Sequence, residues 1–185
     1  MASKSEQQPI GFITVRLHPE FGYFGGFLLV NHLARPLEFH CTLPIKPSRA
    51  QSILYGPTLD EFLCGEQIAR ALVLKAKASP VVIFTDAGAV LSLRNIMSHP
   101  IVMVEGKNDA GSDVNSLHHR PSGSSRSYHR FELDDCPLAV LEAYRDDAAQ
   151  IQTLWQQMDS QVDLREPFGR IADALLEAHP TTKAA

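Results

Sequence analysis

The sequence predicts a fold of the α+β or α/β class, in which an antiparallel three-strand meander extends into a mixed sheet of five or six strands. Helices pack on this sheet, and a C-terminal helical pair completes it. Three observations predict this architecture. Three β-rich runs follow one another closely near the start, two short runs in the middle are continuously apolar, and the last third carries apolar residues at helical spacing.

The meander is predicted from the runs near residues 10–17, 25–31 and 36–43, which are rich in Ile, Val, Phe, Leu and Thr. Gly, Pro, Asn and Arg fill the gaps between them. Such short gaps favour antiparallel neighbours, because parallel strands need a long crossover connection.

Two helices are predicted to follow the meander. The first, in KPSRAQSILYG, begins at Ser48 and ends at Gly56. The second begins with Thr58 and Glu61 as a capping box, in which each side chain satisfies a backbone donor of the first turn. Its expected apolar stripe comprises Leu59, Phe62, Ala69 and Val73.

The runs VVIFT and IVMV are predicted to be buried strands, since they lack the polar alternation of a half-exposed strand. The residues between them, 87–96, fit either a strand or a helix. YHRFEL is predicted to return a further strand to the sheet.

The C-terminal pair is predicted as a helix capped by Asp135 and running to about Met158, followed by a second helix from near Pro167. Its apolar stripe should pack on the chain's own sheet; a helical dimer or partner interface is the alternative. The stripe comprises Leu138, Leu141, Ala148, Ile151, Trp155, Phe168, Ile171 and Leu175.

The chain divides into five predicted segments. Residues 1–8 form a disordered start, 9–106 the core, and 107–128 a flexible loop or linker poor in apolar residues. Residues 129–179 supply a strand and the C-terminal helices of the same domain, and 180–185 form a tail.

Composition predicts a soluble cytoplasmic protein. A formal net charge of -4 gives no general attraction to nucleic acid or anionic membrane. The three cysteines form neither a disulfide framework nor a zinc signature, and the N-terminus lacks the apolar run of a signal peptide.

Polar residues at the ends of the two apolar runs form the candidate site. Asp86 follows VVIFT, Glu105 follows IVMV, and Lys107 shares a face with Glu105 on an extended chain. If residues 87–96 form a strand, a hairpin brings Asp86 beside Glu105. If they form a helix, both carboxylates lie at the C-terminal edge of parallel strands, where ligands often bind. Glu66 is expected to project into the apolar stripe of its helix, with Arg70 as its partner.

The order Glu66, Asp86, Glu105-x-Lys107 resembles the catalytic pattern of restriction-endonuclease-like nucleases. That resemblance implies that Glu66, Asp86 and Glu105 hold Mg²⁺, and that Asp86, Glu105 and Lys107 catalyse phosphodiester hydrolysis. Where that family usually has a proline before the strand aspartate, this chain has Thr85. VMVEGKND also resembles the opening motif of Toprim domains, but Asp134-Asp135 lacks the Asp-x-Asp spacing that those domains use later in the chain.

Two functions therefore remain open. The first is a non-catalytic module that binds a small ligand or protein partner through its sheet and C-terminal helices, with no cofactor and no membrane contact. The second is a Mg²⁺-dependent nuclease or phosphohydrolase, the only case in which nucleic acid is an expected partner. A turn-rich exit such as Glu-Gly-Lys-Asn-Asp is typical of a strand that simply ends, and that is the outcome we expect here.

Overall fold

The computed structural model describes residues 8–106, 126–158 and 160–179, and the seven strands in these residues form one mixed sheet. The predicted fold class is confirmed, with more strands than the five or six expected. The order across the sheet is β3-β2-β1-β4-β5-β7-β6. The strands are β1 (Ile10–His18), β2 (Gly22–Val30), β3 (Pro36–Cys41), β4 (Val82–Thr85), β5 (Ile101–Val104), β6 (Tyr128–Leu133) and β7 (Cys136–Leu141).

The predicted meander is confirmed, because β2 pairs antiparallel with both β1 and β3. The centre of the sheet is parallel: β4 pairs with β1 and β5 pairs with β4. The chain between β4 and β5 forms a 3₁₀ helix at Gly88–Asn95, which decides the open question about residues 87–96. The parallel strands β1, β4 and β5 therefore have their C-terminal ends on the same side of the sheet, which we call its C-terminal edge.

Helices cover both faces of this sheet. One face packs against α3 and α4, and the other packs against a π-helix, α2 and the 3₁₀ helix between β4 and β5. The helices are α1 (Arg49–Tyr55), the π-helix (Glu61–Ala69), α2 (Arg70–Lys75), α3 (Asp146–Met158) and α4 (Glu166–Ala178). Short 3₁₀ turns lie at Gly56–Thr58 and Glu142–Tyr144.

The π-helix makes the second helix differ from its prediction. The expected capping box is wrong: the Thr58 hydroxyl donates to the carbonyl of Tyr55, and Glu61 forms an ion pair with Arg126. A π-helix hydrogen-bonds from i to i+5 and therefore has more residues per turn than an α-helix. The buried pairs follow that spacing. Ile68-Ala69 comes five positions after Leu63-Cys64 in the π-helix, and Leu72-Val73 comes four positions later, where the chain continues as α2.

The C-terminal third also contains a correction. Residues 136–141 form strand β7, not the start of a helix capped by Asp135. Asp134 and Asp135 both have positive φ, 49° and 59°, as the central residues of a type I′ turn require, and this turn matches the twist of a hairpin. The indole N–H of Trp155 on α3 donates to the Asp134 carboxylate at 2.6 Å, which fixes the turn against the helix.

The C-terminal apolar stripe packs in the chain's own core. Leu138 and Leu141 lie in clusters on different faces of the sheet, as residues three apart on a strand do. The rest of the stripe joins the cluster between the sheet and the helices α3 and α4: Ala148, Ile151, Trp155, Phe168, Ile171 and Leu175.

Several segment predictions lie outside the described residues: 1–7, 107–125 and 180–185. At the end of the predicted linker, Arg126 contacts Glu61 and Tyr128 begins β6. Strands from both sides of the gap belong to the same sheet. No helix in the described residues is long and apolar enough to cross a membrane.

Candidate functional site

Asp86 lies just beyond β4 and is only 8% exposed. Its carboxylate accepts hydrogen bonds from the Thr14 hydroxyl at 2.5 Å and from the Arg16 guanidinium at 2.6 Å, both on the neighbouring strand β1. Charged hydrogen bonds of this kind satisfy a carboxylate that has left water. Thr14 alternates with Ile13 and Val15, so it shares the sheet face of Phe12, which is the face that α3 and α4 cover.

Glu105 lies just beyond β5 and uses different partners. Its carboxylate accepts from the Arg130 guanidinium on β6 at 2.9 Å, and its backbone N–H donates to the carbonyl of Pro137. Glu105 continues the alternation of Ile101 and Met103, which pack on the face covered by the π-helix. The Arg165 guanidinium lies 3.4 Å from the Glu105 backbone carbonyl.

The two carboxylates thus share an edge of the sheet but extend to opposite faces. In the register of the parallel pair, Phe84 lies beside Val102, so Asp86 is level with Val104 and not with Glu105. Side chains one position apart on a strand point to opposite faces. A shared Mg²⁺ would need oxygens from both groups at about 2.0–2.1 Å. The structure does not bring Asp86 and Glu105 together in that way.

The other two candidate residues lie elsewhere or outside the described residues. Glu66 is exposed on the π-helix, which corrects the expectation that it projects into the apolar stripe. The wider π turn directs Cys64 and Ile68 inward in its place. Lys107 lies outside the described residues. In the part of the chain that the structure describes, no group of three or more His, Cys, Asp or Glu side chains is arranged to hold a metal ion.

A further ion pair, which the sequence reasoning missed, joins the two helical layers. Arg94, at the end of the 3₁₀ helix, donates to Asp147 of α3 at 2.8 and 3.3 Å and stacks over the Tyr144 ring. The hydrogen bond to Asp147 raises the pKa of Arg94, and burial together with the Arg94 charge lowers the pKa of nearby His99. Arg94 and Asp147 are far apart in sequence, so no local sequence pattern could predict their contact. Bidentate pairing to a largely buried carboxylate is suited to positioning helices.

Helix α1 adds no buried side chain to the fold. In the described structure none of its residues is buried, and Ile53 and Leu54 are 70% and 83% exposed. We call Arg49, Ile53 and Leu54 the α1 surface; Arg49 and Ile53 are four residues apart and so share a helix face. The sequence predicted this helix from Ser48 to Gly56 and gave no indication that its apolar residues stay outside the core.

Local hydrogen bonds hold α1 in shape. Ser48 and Gln51 form a reciprocal capping box, with bonds of 3.1 and 2.9 Å. Before it, Ile45 pairs with Tyr23 at the start of β2, and at its last residue the Tyr55 ring stacks on Phe62 at 4.0 Å. The helix is therefore positioned at both ends, although its outward face contacts little of the chain that the structure describes.

The segment of the chain that contains α1, between the acidic residues Glu38 and Asp60, is basic. Between residues 39 and 59 the sequence contains Lys46 and Arg49 and no acidic residue. The chain as a whole carries a formal charge of -4. The α1 surface is therefore apolar with a basic border on a protein that is otherwise acidic.

The sheet also ends in two different edges. β3 presents Leu37 and Phe39, which are 50% and 38% exposed. β6, at the opposite end, carries Arg130 and Glu132. A charged edge strand resists pairing with another chain, whereas an apolar one does not.

A surface hollow of about 560 Å³ lies beside α3. Its described lining residues are uncharged: Val81, Ala149, Gln150, Thr153, Leu154 and Gln157. Without a converging set of charged or nucleophilic groups, these side chains offer a ligand contact area but no reactive chemistry.

Comparison with known proteins gives no relative from which to transfer a role: no family model matches the chain, and no curated protein matches its sequence. The function must therefore be argued from the geometry of the chain itself.

Proposed function

We propose that this chain is a non-catalytic binding module for a protein partner and that the α1 surface is where the partner docks. The observation that carries the proposal is the exposure of Ile53 and Leu54 on a helix whose ends are fixed. An isolated helix of this length is not stable in water, since helices shorter than about 12–15 residues are marginal. The capping box, the Tyr55–Phe62 stack and the pairing of Ile45 with Tyr23 hold α1 in place. The helix nevertheless adds no side chain to the core.

The energetics suit a partner interface. Moving one large aliphatic side chain from water into a partner contributes roughly 1.5–3 kcal/mol. Ile53 and Leu54 are neighbours, so a single groove can take both, in the manner of a helix that lies in an apolar groove. The basic border of Lys46 and Arg49 favours a groove with an acidic rim, because complementary charge steers association and fixes its register.

The ion pairs of the candidate carboxylates count against the hydrolase alternative. A Mg²⁺ ion at Asp86 would have to displace Arg16 or share the carboxylate with it, and Glu105 extends to the other face. In a calorimetric titration with Mg²⁺, we expect the chain and its Asp86→Ala variant to behave alike, and neither to cleave DNA or RNA. Saturable Mg²⁺ binding that Asp86→Ala abolishes, together with nuclease activity, would favour the hydrolase.

The proposal includes a reducing cytoplasm as the site of action. All three cysteines carry free thiols, and Cys41 is exposed. Exposed free thiols persist in a reducing compartment and tend to become oxidised outside it. Burial raises the pKa of the Cys64 thiol, which keeps that cysteine unreactive.

The docking proposal is tested with a photo-crosslinking residue placed at position 54 in living cells. We expect a discrete adduct with one protein, and we expect it to disappear when Ile53 is also changed to Asp. The matched control carries the same residue at Gln156, which is exposed on α3. The partner, once identified and purified, should bind the unmodified chain and lose at least about tenfold in affinity for Ile53→Asp.

The opposite results are equally clear. If positions 54 and 156 give the same adducts, or if the purified partner binds Ile53→Asp as tightly as the unmodified chain, α1 is not the docking surface. The Ile53→Asp variant should keep its thermal stability, because Ile53 is 70% exposed, so a loss of binding will not reflect unfolding.

A further inference from the structure

Ser52 lies on α1 between Arg49 and Ile53, and its side chain is exposed. Its hydroxyl donates to the backbone carbonyl of Ser48 at 3.2 Å. The hydroxyl of Ser48 has a different task, since it accepts the N–H of Gln51 and caps the helix. A change at the Ser52 hydroxyl therefore leaves the cap of α1 in place.

The sequence around Ser52 has the pattern of a substrate of basophilic protein kinases. Arg49 stands three positions before Ser52, and the apolar residue Ile53 follows it. In the whole sequence, Ser52 is the only Ser or Thr with an Arg or Lys three positions before it. Kinases of this class select substrates by such charge patterns, because acidic side chains in their peptide groove bind the arginine.

Helix α1 can open without disturbing the core. A kinase binds its substrate as an extended segment, so α1 must open before Ser52 can react. None of the residues of α1 is buried, and a helix of seven residues is marginal on its own. Local opening of an element with few buried contacts costs much less than global unfolding. Ser52 can therefore reach a kinase while the rest of the protein stays folded.

Phosphoryl transfer to Ser52 is a balanced step when the kinase supplies a nucleoside triphosphate. The Ser52 Oγ attacks the γ-phosphorus and forms a new P–O bond, while the bond from that phosphorus to the β–γ bridging oxygen breaks. The nucleoside diphosphate leaves, and the hydroxyl proton passes to the catalytic aspartate of the kinase. The phosphorylated Oγ has no proton, so it no longer donates to the Ser48 carbonyl.

A phosphate at Ser52 cancels the basic border of the α1 surface. A phosphoserine carries a charge of about −1.5 to −2 at neutral pH, which offsets the positive charges of Lys46 and Arg49. Arg49 is three residues before Ser52, so the two side chains are neighbours on the helix. The phosphate must also lose water when the adjacent Ile53 enters an apolar groove, and that is unfavourable for a charge without a partner. Both effects weaken the binding of a partner that has an acidic rim.

We infer that Ser52 is a phosphorylation site for a basophilic protein kinase and that its phosphate releases the partner from the α1 surface. Three observations point to the modification: the exposed hydroxyl, the arginine at the spacing that such kinases read, and the absence of buried residues in α1. The effect on binding rests on the proposed function, whereas the modification itself does not.

Mass spectrometry of the full chain isolated from its own cells tests the modification. We expect a phosphate on Ser52 that phosphatase treatment removes and that is absent from Ser52→Ala. An assay of the purified chain with ATP and a basophilic kinase tests the recognition. Arg49→Gln should slow the phosphorylation of Ser52 at least about tenfold, because it removes the charge that the kinase reads. Arg145→Gln, which changes an exposed arginine outside α1, is the matched control and should not alter the rate.

The same assay tests the opening of α1. Ser48→Ala removes the side chain that caps the helix, so α1 should open more often and Ser52 should be phosphorylated at least about twofold faster. An unchanged or slower rate in this variant would refute the opening step.

The partner that is cross-linked at position 54 tests the regulation. It should bind the chain phosphorylated at Ser52 at least about tenfold more weakly than the unphosphorylated chain. Ser52→Ala places a strong helix former in α1, so this variant should bind the partner normally and should not respond to the kinase.

The inference is overturned if Ser52 carries no phosphate in the chain from cells, if Arg49→Gln is phosphorylated as fast as the unmodified chain, or if the phosphate leaves binding unchanged or strengthens it. These results differ from a failure of the docking proposal. If Ile53→Asp abolishes binding and the phosphate does not alter it, α1 is the docking surface and the regulation is refuted. If the partner binds Ile53→Asp as tightly as the unmodified chain, docking and its regulation both fail, and the phosphate on Ser52 is still decided by mass spectrometry.

Discussion

Helices α4 and α1 follow similar local rules and reach opposite outcomes. α4 begins with Glu166 and Pro167 in its first turn and buries Phe168, Ile171 and Leu175 against the sheet. α1 begins with a complete capping box, ends at Gly56, and buries none of its residues in the described structure. The sequence therefore marks the start of both helices, α4 by Glu166 and Pro167 and α1 by its capping box, but only α4 contributes to the core.

The difference shows that α4 contributes to the stability of the fold, whereas α1 leaves its apolar side chains on the surface. Ile171 of α4 approaches so close to β2 that a side chain at Gly26 would meet it. α1 is connected to the body through Ile45, Tyr55 and the nearby strand β3, which Glu38 links to the residues after α2. Substitutions in the C-terminal helices should thus affect folding, and substitutions on α1 should affect binding alone.

The largest expected effect is at Trp155, on the α3 and α4 side of the sheet. Its ring packs edge-on against Phe84, and its N–H donates to Asp134. Trp155→Ala should lower the free energy of unfolding by about 3–5 kcal/mol, measured by urea denaturation, because it leaves a cavity. Trp155→Phe, which keeps most of the apolar contact, should lose less. A loss below about 1 kcal/mol for Trp155→Ala would mean that this side is not the main core.

Gly26→Ala tests the close contact between α4 and β2. A Cβ at Gly26 would lie 2.5 Å from Ile171 Cγ2, so the helix must shift. We expect a loss of about 1–3 kcal/mol in the free energy of unfolding. Gly169→Ala is the matched control on α4: no described residue lies within 4 Å of the added Cβ, and the change should stabilise the helix by roughly 0.5–1 kcal/mol. Equal effects of the two variants would show that α4 packs loosely.

The pH dependence of stability tests how Glu38 holds β3, the strand next to α1, against the residues after α2. Hydrogen bonds from the Lys77 N–H, His40 and the Ala78 N–H lower the pKa of Glu38 to about 2 from its ordinary value of 4.5. A carboxyl whose pKa is lower in the folded state adds stability that is fully present above pH 4.5 and is lost as the pH falls toward 2. The midpoint of urea unfolding should therefore differ between the chain and Glu38→Gln at pH 7, and that difference should shrink below pH 4.5. A difference that is constant with pH would show that the Glu38 carboxylate contributes no charge-dependent stability.

The smallest expected effect is at α1. The double variant Ile53→Ser, Leu54→Ser should change the free energy of unfolding by no more than about 0.5 kcal/mol, because both side chains already face solvent. Ile151→Ser, on the buried face of α3, is the contrasting control and should destabilise strongly. If the α1 variant unfolds as readily as the control, α1 belongs to the core and the contrast with α4 fails.

Local sequence predicted much of the fold because the relevant forces act between near neighbours. Ser48 and Gly56 fixed the ends of α1, and the Gly, Pro and Asn gaps fixed the meander. The continuous apolar runs identified β4 and β5 because both faces of those strands are covered by helices. The buried pairs Leu63-Cys64 and Ile68-Ala69, which are five positions apart, even carry the signal of the π-helix in the sequence.

Other features depended on contacts between distant segments. In FELDDCPLAVL the spacing of Leu138 and Leu141 fits a helix, and only pairing with β5 and β6 makes that run a strand. The exposure of Ile53 and Leu54 likewise depends on where the rest of the chain packs. The sequence of a capped helix with apolar residues does not determine which other segment will bury them.

The candidate site shows the same division most sharply. By itself the sequence determined that Asp86 and Glu105 each follow a buried strand and that these ends carry turn residues. The tertiary structure decided the rest, because the register of two parallel strands is set by the packing of the whole sheet. That register places Asp86 level with Val104, and a shift of one residue reverses the face of a side chain. Asp86 therefore meets Arg16 on one side of the sheet, and Glu105 meets Arg130 on the other.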